Sequence, residues 1–159
     1  KIKILDIGFG SGRDSLYFKN KGYNVYSIDN VKEFCDYAKS IGLDNVYCIS
    51  IEDINYINEF DAIWACASLL HIELNKLEYV FNKCYKALKN NGVMYVSFKY
   101  GIFEGFIDDR YFTYLNEDSF NKIIKTTNFK IEKILIKEDK LNRDIKWLNI
   151  ILKKCMMLR

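Results

Sequence analysis

Apolar residues along this chain follow two alternating patterns: short unbroken runs, and longer stretches in which they recur every three to four positions. Ile2–Ile7 is the first short run, closed by glycines, as expected of a buried parallel strand. Ser11–Lys21 follows with helical character, Leu16, Tyr17 and Phe18 being available for its buried face, and Gly22 ends it. Asn24–Asp29 reads as a second strand. Val31–Ile41 reads as a second helix with Val31, Phe34, Ala38 and Ile41 on one stripe. Strands are expected at Asn45–Ser50, Phe60–Ala67 and Val93–Phe98. A helix over Leu74–Lys89 carries Leu77, Val80, Phe81, Cys84 and Leu88 on one face, and Asn90, Asn91 and Gly92 close it. Asn116–Thr127 is a further helix, entered through a polar residue near Asn116. Phe129–Lys137 and Trp147–Lys154 are strands joined by a charged loop.

Alternation of strand and helix predicts an α/β fold with a parallel sheet and helices on both faces. The last two strands lack a crossover helix, so they should pair antiparallel at one edge. The expectation is a Rossmann-like, seven-stranded, mostly parallel sheet with an antiparallel C-terminal strand, forming a single domain over residues 1–159. Lys1 is not a methionine and Ile2–Ile7 already reads as a core strand, so N-terminal residues are expected to be missing.

The most informative constellation is Asp6-Ile7-Gly8-Phe9-Gly10-Ser11-Gly12, between the first strand and the first helix. An open α/β sheet binds its ligand at the carboxyl ends of its strands, where this loop lies, and glycines let backbone approach a ligand closely. The dinucleotide pattern G-x-G-x-x-G would need a third glycine where Arg13 stands. Asp29 ends the second strand, where a carboxylate can accept hydrogen bonds from both hydroxyls of a ribose.

Composition narrows the partners. Half of the residues are hydrophobic, which suits a packed core, and there is no proline, so turns rest on Gly, Asn and Asp. Net charge is +3, from 24 basic and 21 acidic residues scattered along the chain, and a nucleic-acid partner is not expected. The five cysteines show no C-x-x-C spacing and there is a single histidine, His71. Reduced thiols in a cytoplasmic protein, with no metal site, are the simplest account. No apolar run approaches the roughly 20 residues of a membrane span, and no signal peptide is present.

With these residues in view, the chain resembles the class I S-adenosylmethionine-dependent methyltransferases, and within them a bacterial branch related to the tellurite-resistance type. ILDIGFGSGRDSLYF matches the cofactor loop in its D-x-G-x-G-x-G form. DAIWACASLLHI, ALKNNGVMYVSFKYG, RYFTYLNEDSF and WLNI match later landmarks. The resemblance implies S-adenosylmethionine as cofactor. It implies that Asp6, Gly8 and Gly10 border its methionine part, that Gly12 belongs to the same cofactor-binding loop, that Asp29 binds the ribose, and that Asn30, Ser50 and Ile51 border the adenine. Ala65 would offer backbone to the methionine amine. Relatives often place an acid near the adenine amine where this chain has Ser50, and Glu52 and Asp53 lie slightly later.

Methyl transfer needs an aligned acceptor lone pair, plus a base where the acceptor must lose a proton. His71 is the candidate base, and Ser68 would face the transfer site; His71 packing at the start of the next helix is the alternative. Tyr111 and Tyr114, with Arg110, fall after the fifth strand, where substrate lids lie; Tyr111 joins His71 as a catalytic candidate. Arg110 would pair with an acidic substrate, or with Asp108 or Asp109. Trp64 and Trp147 read as packing residues, and Cys66 as a structural thiol. A small-molecule methyl acceptor leads, because no added recognition domain is present. A tRNA or protein methyltransferase and a non-catalytic cofactor-binding module remain alternatives.

Overall fold

The computed structural model describes residues 1–141 and 143–156. Among them run strands β1 (Lys3–Ile7), β2 (Asn24–Asp29), β3 (Asn45–Cys48), β4 (Phe60–Ala65), β5 (Leu88–Lys99), β6 (Phe103–Ile107), β7 (Arg110–Tyr114), β8 (Lys130–Glu138) and β9 (Lys146–Lys153). The helices are α1 (Arg13–Asn20), α2 (Lys32–Ser40), α3 (Leu74–Ala87) and α4 (Glu117–Ile124), with single 3-10 turns at Ile51–Asp53 and Leu69–His71. Seven strands form one sheet in the order β3-β2-β1-β4-β5-β9-β8. The first five are parallel, and β9 inserts antiparallel between β5 and β8. This is the expected fold class.

Alternation along the strands sorts the core into two layers. Ile63 and Ala65 of β4, Met94, Val96 and Phe98 of β5, and Leu148, Ile150 and Leu152 of β9 join Leu77, Val80, Phe81 and Phe120 from α3 and α4 in the larger cluster. Across β2 and β3, α1 and α2 cover the opposite face, where Phe9, Cys35, Ala38, Leu43 and Val46 form a smaller cluster. Trp64 points to that side. It stacks on Tyr95 at 4.2 Å between ring centroids and donates its indole N–H to Asp14 at 2.9 Å.

Four local expectations need correction. The helix expected to reach Lys89 ends at Ala87, because the carbonyls of Lys86 and Ala87 accept from Asn58 and Glu59 and the chain turns into β5 at Leu88. Tyr17, expected on the buried face of α1, is exposed, and Ser15 is the helix's buried residue. The stretch expected as a loop after the fifth strand is the β6–β7 hairpin, a separate two-stranded sheet turning at Asp108, which adopts φ +54°. Val31 and Phe34 of the α2 stripe are exposed, and only Cys35 and Ala38 of that helix are buried.

Candidate functional site

At the carboxyl ends of β1, β2 and β4 lies an open cavity of about 520 Å³. Its lining brings together Gly8 and Gly10 from the glycine loop, Asp29 and Asn30 from the end of β2, Ser50 and Ile51 after β3, and Ser68 and His71 after β4. The loop is built by backbone bonds: Gly8 N–H donates to the Ile28 carbonyl at 2.8 Å, and Gly12 N–H to the Phe9 carbonyl at 3.0 Å. Two loop glycines are required for different reasons. Gly8 has φ +66°, and a Cβ there would lie 2.5 Å from Ser68 Cβ, so the β1 and β4 loops touch backbone to side chain. Gly10 has φ +57°, and a Cβ there would meet no atom within 4 Å.

Asp29 organises the floor. One carboxylate oxygen accepts from Gly10 N–H at 3.1 Å and the other from Val31 N–H at 3.0 Å. A carboxylate has about four lone-pair positions, so acceptor capacity remains toward the cavity. Beside Gly8, Ser68 Oγ is buried without a hydrogen-bond partner. A buried hydroxyl left unsatisfied costs on the order of 1–3 kcal/mol, and groups of this kind gather at binding sites. Ser50 caps the 3-10 turn, its hydroxyl accepting from Glu52 N–H at 3.3 Å. Val31, Phe34, Ile49 and Ile72 supply an apolar wall, of which the sequence pattern assigned Val31 and Phe34 to packing. The signal was present in α2, whose stripe carries more apolar residues than the core beneath it covers.

Four candidates are not part of this lining. Asp6 is 2% exposed and faces inward, its carboxylate accepting from Ser15 Oγ at 2.6 Å, with Ser27 Oγ 2.7 Å beyond. Burial pushes its pKa up to about 7, the Ser15 hydroxyl opposing and Asp14 and Asp29 adding to the rise. Gly12 caps α1 under Ile41 and Leu43. Ala65 is fully buried, and Ala67 and Ser68 present themselves in its place. Tyr111 contributes its backbone: its carbonyl lies 2.8 Å from His71 Nδ1. The neighbouring Glu104 carboxylate raises its phenol to about 12 and leaves it no basic character near neutrality.

His71 is half-buried beside Phe112, with ring centroids 4.7 Å apart. A carbonyl only accepts, so Nδ1 carries the proton and donates to Tyr111. Nε2 then holds the lone pair, and Arg110 Nη2 donates to it at 2.7 Å. Burial lowers the His71 pKa, and the charges of Arg110 and Lys99 lower it further, against the Tyr111 carbonyl. Among the described residues Arg110 forms no ion pair with Asp108 or Asp109. The hairpin is fixed over the Leu69–His71 turn by Thr113 Oγ1 donating to the Ile72 carbonyl at 2.7 Å and by the Glu104 carboxylate accepting from Leu74 N–H at 2.8 Å.

Cys66 lines a cleft with Trp64, Tyr95 and Ser97, half-buried, with its thiol pKa raised by burial.

Comparison with known proteins adds an independent line. A family model described as "Methyltransferase domain" matches residues 5–96, more than half of the chain. Phosphoethanolamine N-methyltransferase of Plasmodium falciparum is 27% identical over 142 residues, covering 80% of this chain and 53% of that protein. Ubiquinone biosynthesis O-methyltransferase of Rickettsia conorii is 30% identical over 102 residues, covering 61% of this chain and 35% of that one. The chain thus spans about half of the first and about a third of the second. Among solved structures, a methyltransferase of Methanosarcina mazei superposes with a TM-score of 0.84 at 19% identity, covering 98% of this chain and 93% of that one. The Burkholderia thailandensis 1,6-didemethyltoxoflavin-N1-methyltransferase, solved with S-adenosylhomocysteine, gives 0.82 at 18%, covering 97% and 71%. At these identities the two structures establish likeness of fold.

Proposed function

The chain belongs to the methyltransferase-domain family, and we propose that it is an S-adenosylmethionine-dependent enzyme that moves the methyl group to a small-molecule acceptor held between the cofactor cavity and the β6–β7 hairpin. The observation that carries this reading is the continuity of the cavity: Asp29 and the glycine loop line the same open cleft as His71 and Arg110.

The residues present fit the cofactor. Gly10 leaves open space where any side chain would intrude, Ser68 Oγ offers an uncommitted polar atom, and Phe34 and Val31 expose apolar surface to a planar base. In this reading Asp29 accepts from the ribose hydroxyls. Asn30, Ser50 and Ile51 border the adenine. Gly8 and Gly10 lie along the amino-acid tail, and the backbone near Ala67 takes the part first expected of Ala65. The cofactor, when bound, supplies an electrophilic methyl on a sulfonium. The chain's own contribution is to align the acceptor, exclude water and receive a proton where one is released. His71 Nε2 is the only imidazole lone pair available for that last role, since the chain has a single histidine.

An acceptor small enough to share a cavity of this size is favoured over a macromolecule. The relatives' names, one an N-methyltransferase of phosphoethanolamine and one an O-methyltransferase of ubiquinone biosynthesis, point to the same class. Five unpaired cysteines support a reducing compartment such as the cytoplasm, and no described helix is long and apolar enough to cross a membrane. The test is transfer of labelled methyl from S-adenosylmethionine into a fractionated metabolite pool, with tRNA and protein fractions in parallel. Label confined to the low-molecular-weight fraction is expected; label in tRNA or protein alone would overturn the assignment.

A further inference from the structure

We propose that Arg110 is both the receptor for an anionic group on the methyl acceptor and a cap on the base His71, so that an anionic acceptor uncovers the base as it binds. The inference rests on the cofactor and small-acceptor reading above and names the acceptor's class.

The geometry is specific. Nδ1 of His71 is committed to the Tyr111 carbonyl, so Nε2 carries the only lone pair on the ring, and Arg110 Nη2 sits on it at 2.7 Å. A guanidinium cannot give up its proton in a protein, so this contact blocks the base. Arg110 is exposed and lines the cavity, and among the described residues no carboxylate pairs with it. A second cation stands beside it: Lys99 Nζ lies 4.3 Å from the centre of the Phe112 ring, and the Arg110 guanidinium carbon 5.7 Å from the same centre. Two cations and a neutral imidazole thus gather around one aromatic ring.

Charged groups reach His71 from each packed element: Arg110 from β7 and Lys99 from β5. Glu104 on β6 and Glu73 before α3 lie nearer to Tyr111, and Glu104 is already held by Leu74 N–H. A phosphate or carboxylate would outcompete a neutral imidazole for the guanidinium through a charge-assisted, bidentate pair. Arg110 would then turn from Nε2, and the anion would offset the two positive charges that disfavour an imidazolium. The acceptor's O–H or N–H proton could pass to Nε2. Its lone pair forms the new bond to the methyl carbon, and the S–CH3 electron pair returns to sulfur. A neutral acceptor leaves the cap in place and reacts slowly.

Because His71 is the sole histidine, its ring nitrogens can be followed by 15N NMR without assignment. The probe is inorganic phosphate, titrated against chloride at equal ionic strength, in wild-type protein saturated with S-adenosylhomocysteine. Phosphate should shift Nε2 saturably and raise the histidine pKa by about one unit, a tenfold change in its proton affinity. Arg110→Met should show the raised pKa without phosphate and no saturable response to it. A wild-type His71 titration indifferent to phosphate, with S-adenosylhomocysteine still bound, would overturn the proposal alone. Failure of S-adenosylhomocysteine to bind at all would overturn the reading beneath it.

Discussion

The two loop glycines should fail in different ways when each is replaced by alanine. At Gly8 the new Cβ adopts a left-handed backbone, φ +66°, costing about 1–2 kcal/mol, and it lands 2.5 Å from Ser68 Cβ. Neither atom is the end of a flexible chain, so the β1 and β4 loops must separate, at the ~1–3 kcal/mol typical of overpacking. Gly8→Ala is therefore expected to lose roughly 2–5 kcal/mol. A chain of this length loses about 2–4 °C in melting temperature per kcal/mol, so the midpoint should fall by about 4–20 °C. Gly10→Ala bears the same backbone cost, with φ +57°, but meets no atom within 4 Å. It should melt only a few degrees below wild type while its methyl group stands in the cofactor's space. Its affinity for S-adenosylhomocysteine should drop at least about tenfold, or ~1.4 kcal/mol. Calorimetric melting and isothermal titration on both variants separate the two effects. A Gly8→Ala protein melting with wild type would refute the close loop approach. A Gly10→Ala protein that binds S-adenosylhomocysteine normally would take the glycine loop out of the cofactor cradle.

Three other outcomes follow from the same structure. Asp29→Ala should weaken S-adenosylhomocysteine binding by ~3–6 kcal/mol, because two hydrogen bonds to a charged acceptor are worth ~1.5–3 kcal/mol each; unchanged affinity by titration calorimetry would remove the ribose assignment. Asp6 binds its proton more tightly folded than unfolded, its pKa rising from 3.8 to about 7, so its contribution is complete below about pH 4 and lost as pH climbs through 7. Urea melts of wild type should therefore show a decline of on the order of a few kcal/mol across that window, and Asp6→Asn, which keeps an acceptor for Ser15, should flatten it; parallel curves would show that Asp6 does not titrate there. Lys154→Met should destabilise by roughly 2–4 kcal/mol, since Nζ donates to the Tyr85 carbonyl at 3.0 Å, the Leu88 carbonyl at 2.8 Å and Asn58 Oδ1 at 3.1 Å while lying over the Tyr85 ring; a urea midpoint matching wild type would contradict this.

Most of the architecture is written in local pattern. Gly22 and Gly42 stop α1 and α2 because each adopts positive φ at a helix end. Asn116 announces α4 because its side chain accepts from Ser119 N–H in a reciprocal capping box. The β6–β7 hairpin was harder to see, since its apolar residues are divided between the site and solvent: Phe112 is buried against His71, whereas Phe106 is exposed. The end of α3 was misread because asparagines and a glycine favour a stop, whereas the backbone of Asn58 and Glu59 captures the carbonyls two residues earlier.

For this protein, the sequence alone determined the strands of the main sheet and the helices between them, the class of sheet, the glycine loop and the acid at the end of β2, because each depends on neighbours a few residues apart. The tertiary structure decided which way side chains face where two loops meet. It turned Asp6 inward to Ser15, gave Phe34 to the cavity, reduced Tyr111 to its carbonyl, and set Arg110 on the lone pair of His71. Those contacts join residues from 9 to 40 positions apart. They depend on sheet order and hairpin docking, which no local periodicity encodes.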